Sequence, residues 1–273
     1  MNKLSIDQGG VTNSASVSVV IPTFNRRATI GSAIESALRQ SHASHEIIIV
    51  DDASTDGTVE YVSHTYPAVR ILVMKERQGA CSARNAGIDI ATGHYIAFLD
   101  SDDEFLPNKI KTQIDALSDA QARYATSGYL TDSGHELLTK SLSEDHLIRF
   151  NFRGGTSGLL VERDLICKVR FDPRMLAAQD WDVFMRLAKQ AFGVHCPAPL
   201  YRYGLSQPNR ITRSRRRRLL GHVQLFNKNI AGTPGASIRN RITHRVIQAH
   251  LAADLKGCKK FSRVAGWAYR ALR

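Results

Sequence analysis

The chain has few cysteines, no long hydrophobic run and fewer acidic than basic residues, and each shortage excludes a class of protein. Cys81, Cys167, Cys196 and Cys258 lie far apart without CxxC spacing, so neither a zinc site nor a disulfide framework is expected. No apolar stretch approaches the roughly 20 residues of a membrane-spanning helix, and the polar segment 1–10 lacks the apolar core of a signal peptide. A cytoplasmic protein with a sizeable hydrophobic core is therefore predicted.

Basic residues are in excess, with 37 Lys and Arg against 25 Asp and Glu and a formal net charge of +12. This charge favours an anionic partner, which could be a nucleotide, a lipid surface or a nucleic acid. Arginines are densest at 213–218, where a basic helical extension over 213–273 is expected to begin. Packing of this extension on the rest of the protein and peripheral contact with an anionic membrane are equally supported. Nucleic-acid binding is disfavoured because no DNA-binding motif or stacking platform accompanies the arginines.

Short apolar runs alternate with segments of helical periodicity over residues 17–117. Four of the runs have the length and composition of buried strands: 17–21, 46–50, 69–73 and 95–99. Such alternation predicts an α/β fold with a Rossmann-like, mainly parallel sheet flanked by helices. Segment 1–15 has no periodicity and is expected to be a disordered tail. The region from 118 to 158 gives no clear pattern, apart from a predicted turn at 154–158 before a strand at 159–161.

A cluster of acids, Asp100, Asp102 and Asp103, follows the last of these strands directly, with Ser101 among them. Asp100 and Asp102 would lie on one side of an extended chain, because side chains repeat every two residues along a strand. Two carboxylates there suit a hard cation such as Mg2+ or Mn2+, which would bind the diphosphate of a nucleotide.

Two further polar groups follow predicted strands, namely segment 22–25 and the pair Asp51 and Asp52. In open parallel sheets, ligands bind beyond the carboxyl ends of the strands. The polar groups together therefore predict a nucleotide site at one edge of the sheet.

Segment 180–188 has the spacing of an amphipathic helix. Asp180 falls on its apolar stripe and is expected to face inwards. Asp182 precedes Arg186 by four residues and is expected to pair with it on the helix surface. Asp180 is therefore the better catalytic candidate, with a helix-capping role as the alternative.

Several motifs occur in a set order along the chain: 17–25 (VSVVIPTFN), 49–58 (IVDDASTDGT), 83–87 (ARNAG), 100–103 (DSDD) and 179–182 (QDWD). In this order they resemble the family-two glycosyltransferases of the GT-A fold, which transfer a sugar from a nucleotide-sugar donor to an acceptor. The resemblance covers roughly residues 17–203 and implies a GT-A domain over 16–212.

The resemblance implies that the nucleotide pocket is lined by four consecutive residues: Pro22, Thr23, Phe24 and Asn25. Asp52 would accept a hydrogen bond from the base, the alternative being a turn or capping carboxylate. Arg84 would lie near the donor's diphosphate or sugar, the alternative being a surface ion pair. A loop over 207–212 is expected to close over the donor.

The same resemblance implies that Asp102 is the more direct ligand of Mn2+ or Mg2+, while Asp100 holds the ribose or the metal and Ser101 also contacts the donor. A divalent cation would stabilise the charge that grows on the leaving nucleoside diphosphate. Asp180 matches the general base that deprotonates the acceptor hydroxyl. Gln179 stands where the family commonly has Glu.

The function implied is an inverting, metal-dependent hexosyltransferase that uses a nucleoside-diphosphate sugar, with UDP favoured by resemblance. Its acceptor would be a glycan or a lipid-linked glycan of bacterial cell-surface polysaccharide biosynthesis. A non-catalytic nucleotide-binding or membrane-associated scaffold is the alternative. A nucleotidyltransferase is disfavoured because segment 22–27 is not rich in glycine and lysine.

Overall fold

The computed structural model describes residues 15–131, 134, 136–137, 155–204 and 214–229. The strands are β1 Val17–Thr23, β2 Glu46–Asp51, β3 Arg70–Val73, β4 Tyr95–Phe98, β5 Glu104–Phe105, β6 Tyr124–Thr131, β7 Glu136–Leu137, β8 Leu160–Glu162 and β9 Gly193–Tyr203. The helices are α1 Ile30–Leu38, α2 Thr58–Thr65, α3 Ala80–Ile90, α4 Lys109–Ala120, α5 Arg163–Val169, α6 Gln179–Ala188 and α7 Arg215–Asn229. The predicted tail up to residue 14, the loop 207–212 and the chain beyond 229 lie outside these residues.

The strands form one sheet in the order β3-β2-β1-β4-β8-β6-β9-β5, with β7 paired to β6. β3, β2, β1 and β4 run parallel, as predicted. β8 runs antiparallel to both β4 and β6, and β9 is parallel to β6. The predicted α/β fold is confirmed, while each of these antiparallel pairings includes a strand that comes later in the chain than β4.

Each face of the sheet carries its own hydrophobic core. Along β1, Val20 packs on the side of α3, α5 and α6, whereas Val19 and Ile21 pack on the side of α1 and α4. This division follows from the alternation of side chains along a strand. Helices therefore cover both faces, which leaves the carboxyl edge of the parallel strands for a site.

Helix α3 lies close to the sheet because of one glycine. A Cβ atom at Gly87 would overlap Val20 and press on Val50. The close approach fixes α3 against β1 and β2, and it carries Arg84, one turn earlier, to the edge where these strands end.

Helix α7, the first helix of the basic extension, packs on α6. Its Leu225 and Phe226 join the same hydrophobic core as Phe184 of α6, while Arg216 and Arg217 remain exposed. Packing on the domain is thus observed for this helix, and it leaves the arginines accessible to an anionic partner. Across the described ranges, every helix is too short or too polar to cross a bilayer.

Candidate active site

A cavity of about 860 Å³ opens where β1, β2 and β4 end. All the candidate residues line it: Pro22, Thr23, Phe24, Asn25, Asp52, Arg84, Asp100, Ser101, Asp102 and Asp180. Its volume is within the range of about 300–1,000 Å³ that is common for small-molecule sites. The fold therefore brings together residues that are up to 158 positions apart in the sequence, from 22 to 180; their individual roles remain predictions.

Asn25 ties the loop after β1 to the loop after β2. It adopts a left-handed conformation with φ of +51°, which Asn tolerates better than most residues. Its backbone N donates to Ser54 Oγ at 2.8 Å, and its Oδ1 accepts from Thr55 N at 2.8 Å. The side-chain oxygen of Asn25 is thus occupied by the hydrogen bond that joins the two loops.

Asp52 is nearly buried and binds the loop that precedes α3. Its Oδ1 accepts from Gln78 N at 2.7 Å and its Oδ2 from Gly79 N at 2.8 Å. The turn carboxylate role, weighed as an alternative, is therefore present. Contact with a base stays a prediction, and it is compatible with this geometry because each carboxylate oxygen has a second lone pair.

The side chain of Arg77, which was not predicted as a site residue, lies over the ring of Phe24. The Arg77 guanidinium lies 4.0 Å from the ring centre, and both residues line the cavity. The contact is a cation–π interaction, and it places a guanidinium beside an aromatic ring in the cavity wall. Arg77 follows strand β3, so the strand-end signal that selected Asp52 could have selected it too.

Arg84 forms a buried ion pair with Asp100. Its Nη2 donates to Asp100 Oδ1 at 2.6 Å, and its side chain is 6% exposed. The guanidinium also lies 5.2 Å from the Phe171 ring centre. The remaining Nε and Nη1 atoms are buried and find no acceptor within the described ranges. The ion pair weighed as an alternative is therefore present, although Arg84 is buried and only Asp100 is partly exposed. The two unpaired donors suit an anionic ligand.

Asp103, the third acid of the cluster, is a structural residue that the sequence reasoning left without a role. Its Oδ2 accepts from Ser157 Oγ at 2.6 Å and its Oδ1 from Gly204 N at 3.0 Å. Ser157 Oγ in turn accepts from Asp100 N at 3.0 Å. Burial and the charge of Asp100 raise the pKa of the Asp103 carboxyl well above its usual range. Asp103 therefore fixes the loop that presents Asp100 and Asp102.

The turn that contains Ser157 was predicted as a turn before a strand, and this prediction is confirmed. A 3-10 turn covers Thr156–Gly158 directly before β8. Gly155 and Thr156 also line the cavity, so the turn is part of the site wall as well as a support for the acidic loop.

The acidic loop offers oxygen donors but no complete metal cage. Where the structure is described, no three His, Cys, Asp or Glu side chains converge to hold a metal ion. Mg2+ in nucleotide sites is usually held by one or two carboxylates together with substrate phosphates. Asp102 and Asp100, both at the cavity, fit such an ion in donor type and number.

Asp180 lies in the first turn of α6 and faces the cavity, as predicted. Burial raises the pKa of the Asp180 carboxyl to about 6, with smaller effects from the Trp181 N–H, from Arg84, which lowers it, and from Asp100, which raises it. The N-cap position of α6 is Ala178 rather than Asp180, but Asp180 Oδ1 accepts from Trp181 N at 2.9 Å, so a contact of the capping kind is present in the first turn. A carboxylate with this pKa can accept a proton near neutral pH.

Asp182 does not lie on the surface, and that prediction is wrong. It pairs with Arg186 at 2.6 Å as expected, but its side chain is 0% exposed. Helix α7 covers it, and Lys228 Nζ and Asn229 Nδ2 lie 3.0 and 2.9 Å from Asp182 Oδ1. A spacing rule within one helix could not detect a helix that packs from further along the chain.

Much of the chain, including parts of this site, matches a known protein family. Residues 18–176 match a family model described as Glycosyl transferase family 2, and this range is more than half of the chain. The chain belongs to glycosyltransferase family 2. In this family-2 chain the match includes the acidic loop and Arg84, and it ends shortly before Asp180.

Relatives with names support the same assignment. The protein TuaG of Bacillus subtilis, named for glycosyl transfer in teichuronic acid biosynthesis, is 31% identical over 186 residues, which are 64% of this chain and 73% of TuaG. WfaP of Escherichia coli is named a UDP-Glc:α-D-GlcNAc-diphosphoundecaprenol β-1,3-glucosyltransferase and is 41% identical over 115 residues. That match covers 41% of this chain and 45% of WfaP.

Solved structures confirm the GT-A fold. Residues 1–349 of Staphylococcus aureus TarS, solved with UDP-GlcNAc, align with a TM-score of 0.65 and 14% identity over 94% of this chain and 92% of that chain. The mannosyltransferase PcManGT of Pyrobaculum calidifontis, solved with GDP-Man and Mn2+, aligns with a TM-score of 0.62 and 21% identity over 93% of this chain and 75% of that one. At these identities the likeness concerns the fold alone.

Proposed function

We propose that this glycosyltransferase inverts the anomeric configuration, depends on a divalent metal and moves a sugar from a nucleoside-diphosphate sugar, a UDP-sugar first among them. Its acceptor is a hydroxyl of a glycan or lipid-linked glycan in bacterial cell-surface polysaccharide biosynthesis. The observation that carries the proposal is the meeting of Arg84, Asp102 and Asp180 in one cavity. The names of TuaG and WfaP support the pathway, and the UDP-GlcNAc in TarS supports the donor class.

The nucleotide end of the site is assigned to Phe24 and Asp52. The Phe24 ring, covered by Arg77 at 4.0 Å, suits stacking with a base, because aromatic and guanidinium planes both stack on π systems. Asp52 is held rigid by its two backbone hydrogen bonds, so it can accept from a base N–H without losing side-chain entropy on binding.

The leaving diphosphate is assigned to Arg84 and the acidic loop. The two unused donors of Arg84 can bind phosphate oxygens, and these interactions strengthen as negative charge grows in the transition state. A divalent cation held by Asp102 and Asp100 with the donor's phosphates would supply Lewis-acid stabilisation of the same charge.

Asp180 is assigned as the base. With its pKa raised to about 6, it is mostly ionised at pH 7.5 and still basic enough to take the proton of an acceptor hydroxyl. The hydroxyl oxygen then bonds to the anomeric carbon while the carbon–oxygen bond to the diphosphate breaks. A single displacement of this kind inverts the anomeric configuration.

Thermal unfolding and transfer assays test this proposal together. UDP with Mn2+ is expected to raise the melting temperature of the native protein, because a ligand bound by the folded state alone stabilises it, and the shift should vanish in Asp102→Ala. Asp180→Asn should lose transfer and keep the UDP shift, with Asp115→Asn on the exposed face of α4 as the matched control. Transfer by Asp180→Asn at the wild-type rate would remove Asp180 as the base. A product with the donor's own configuration would refute inversion.

The exposed arginines of α7 support the proposed peripheral contact with an anionic membrane at the cytoplasmic face. Each cation near an anionic lipid surface is worth up to about 1 kcal/mol. Sedimentation with phosphatidylglycerol-containing vesicles at low salt tests the contact. Protein that stays in the supernatant under these conditions would rule it out.

A further inference from the structure

Helix α7 presents one stripe of residues to the wall of the cavity. Arg217, Gly221, Gln224 and Lys228 are spaced by four, three and four residues, which places them on one face of a helix. The segment they contact is 172–178, which leads directly into Asp180 and supplies several residues of the cavity wall.

Three contacts fix this stripe along its length. Gln224 accepts from Leu176 N and donates to the carbonyl oxygen of Arg174, both at 3.0 Å. Gly221 lies so close to Ala177 that an added Cβ would come within 2.6 Å of its backbone N. Lys228 Nζ binds Asp172 Oδ2 at 2.7 Å. The helix is therefore held in one position relative to the wall.

The stripe ends at Arg217, whose side chain lines the cavity. Arg217 precedes Gly221 by one turn on the same face of α7, and the cavity that it lines is also lined by Ala177, Ala178 and Asp180. In the described part of the chain no carboxylate pairs with the Arg217 side chain, while its backbone N donates to Ser214 Oγ. An exposed arginine thus lines the same cavity as Asp180, the proposed base.

Two exposed leucines belong to the same two segments, one to the wall 172–178 and one to α7. Leu176 lines the cavity and is 41% exposed, and Leu220, immediately before Gly221, is 40% exposed. Gly221 packs on Ala177, and Leu220 and Leu176 directly precede these two residues. Both leucines therefore flank the contact between α7 and the wall. The mouth of the site therefore combines one cation with an apolar patch.

We propose that Arg217, Leu176 and Leu220 form a subsite for an acceptor whose sugar is joined through a diphosphate to a lipid chain. This inference rests on the proposed function and names the part of the acceptor that the chain recognises. The guanidinium binds phosphate oxygens in bidentate fashion, and the leucines cover the first carbons of the chain, whose removal from water favours binding. A neutral glycan acceptor would leave Arg217 without a partner.

Direct binding tests the subsite without requiring transfer. The probe is decyl diphosphate, titrated calorimetrically against decanol and inorganic pyrophosphate, with the cavity's donor side filled by UDP. Arg217→Ala is expected to weaken decyl diphosphate binding at least tenfold. Leu176→Ser/Leu220→Ser should weaken it severalfold while leaving pyrophosphate binding unchanged. Arg216→Ala, the neighbouring exposed arginine that does not line the cavity, should stay within twofold of wild type.

Transfer kinetics distinguish failure of the subsite from failure of the function. With a sugar presented on decyl diphosphate and as a decyl glycoside, Arg217→Ala should raise KM for the first acceptor alone and leave the donor KM unchanged. Equal effects of Arg216→Ala and Arg217→Ala would indicate general attraction of the diphosphate to the basic helix, and a raised donor KM would place Arg217 at the donor; either result overturns the subsite. Absence of transfer with every donor, alongside Arg217-dependent binding, would overturn the proposed reaction only.

Discussion

Arg84 Nη2 lies 2.6 Å from Asp100 Oδ1, and this pair joins helix α3 to the acidic loop at the centre of the cavity. The pair holds Asp100 in place. Among the described residues no acceptor pairs with Arg84 Nε or Nη1, so these donors are available to a ligand. One side chain thus links the shape of the acidic loop to the charge of the bound donor.

Replacement of Arg84 is therefore expected to reduce the rate of transfer more than the stability of the fold. Arg84→Met should lower kcat by about 100-fold, the usual loss when one preorganised donor is removed from a transition state. Arg84→Lys should recover part of this loss, because an ammonium can pair with Asp100 but cannot span two phosphate oxygens. Steady-state kinetics with Arg39→Met, whose ion pair with Glu35 is exposed, as the control would check this. A kcat for Arg84→Met within threefold of wild type would contradict it.

The raised pKa of Asp180, about 6, predicts the acid limb of the pH profile. The base acts in its ionised form, so kcat/KM should fall as the pH drops below 6, by about tenfold for each pH unit. Asp180→Glu moves the carboxylate by one methylene, so it should change both the pH at which kcat/KM begins to fall and the maximal rate. A profile that stays flat down to pH 5 would show that another group is the base.

The same pKa makes Asp180 a source of instability. The pKa of Asp180 is about 6 in the folded state and 3.8 in the unfolded state, so the folded state holds the proton more tightly. The free energy of unfolding therefore decreases as the pH rises through about 4 to 6. At pH 7.5 the ionised form is disfavoured by burial, and Asp180→Asn should raise the free energy of unfolding by about 1 kcal/mol. Urea denaturation at pH 7.5 and pH 4 checks this. The gain should disappear at pH 4, and a gain of equal size at both pH values would assign it to another cause.

The parallel half of the fold and the candidate residues were predictable because the information is local there. Each of the first four strands is a short and largely apolar run, and the polar groups at 22–25, 51–52 and 100–103 follow such runs. Strand β6 was missed because Thr126 and Ser127 are polar yet fully buried. Thr126 satisfies its hydroxyl with His195 Nδ1 at 2.9 Å, on a strand 69 residues away. No local pattern contains such a partner.

The environment of Asp182 was missed for a similar reason. Its predicted partner Arg186 is four residues away, but Lys228 and Asn229, which complete its burial, come from α7. The wall contacts of Gln224 likewise depend on a packing arrangement that periodicity does not encode. Residues that act at one strand end are readable from sequence, whereas those that act between distant helices need the structure.

Removal of the Ser157 hydroxyl is expected to disturb the acidic loop. Ser157→Ala removes the hydrogen bond to Asp103 at 2.6 Å and the one from Asp100 N at 3.0 Å, and leaves buried groups unpaired at a cost of about 1–3 kcal/mol. Urea denaturation should show this loss, and the thermal shift with UDP and Mn2+ should shrink because the loop is less ordered. Ser118→Ala, on the exposed side of α4, is the control. An unchanged unfolding free energy would mean that the loop does not depend on Ser157.

Lys109 gives a pH-dependent stability that is independent of the site. Its ammonium is fully buried, donates to Gln113 Oε1 at 2.7 Å and lies 4.3 Å from the Phe105 ring centre. Burial lowers the pKa of Lys109 from 10.5 to about 7. The folded state therefore prefers the neutral amine, so the stabilising contribution is complete above pH 10.5 and is lost as the pH falls towards 7.

The unfolding free energy should accordingly decrease by up to about 1.4 kcal/mol for each pH unit between pH 10 and 7, the slope expected for one proton. Lys109→Met removes the titrating group, so this component of the slope should vanish although Gln113 loses a partner. Lys111→Met, two residues further along α4 and exposed in its pair with Asp115, should keep the wild-type slope. Urea denaturation at four pH values across this window measures the difference. The same slope in Lys109→Met and wild type would mean that the buried amine stays charged when the protein folds.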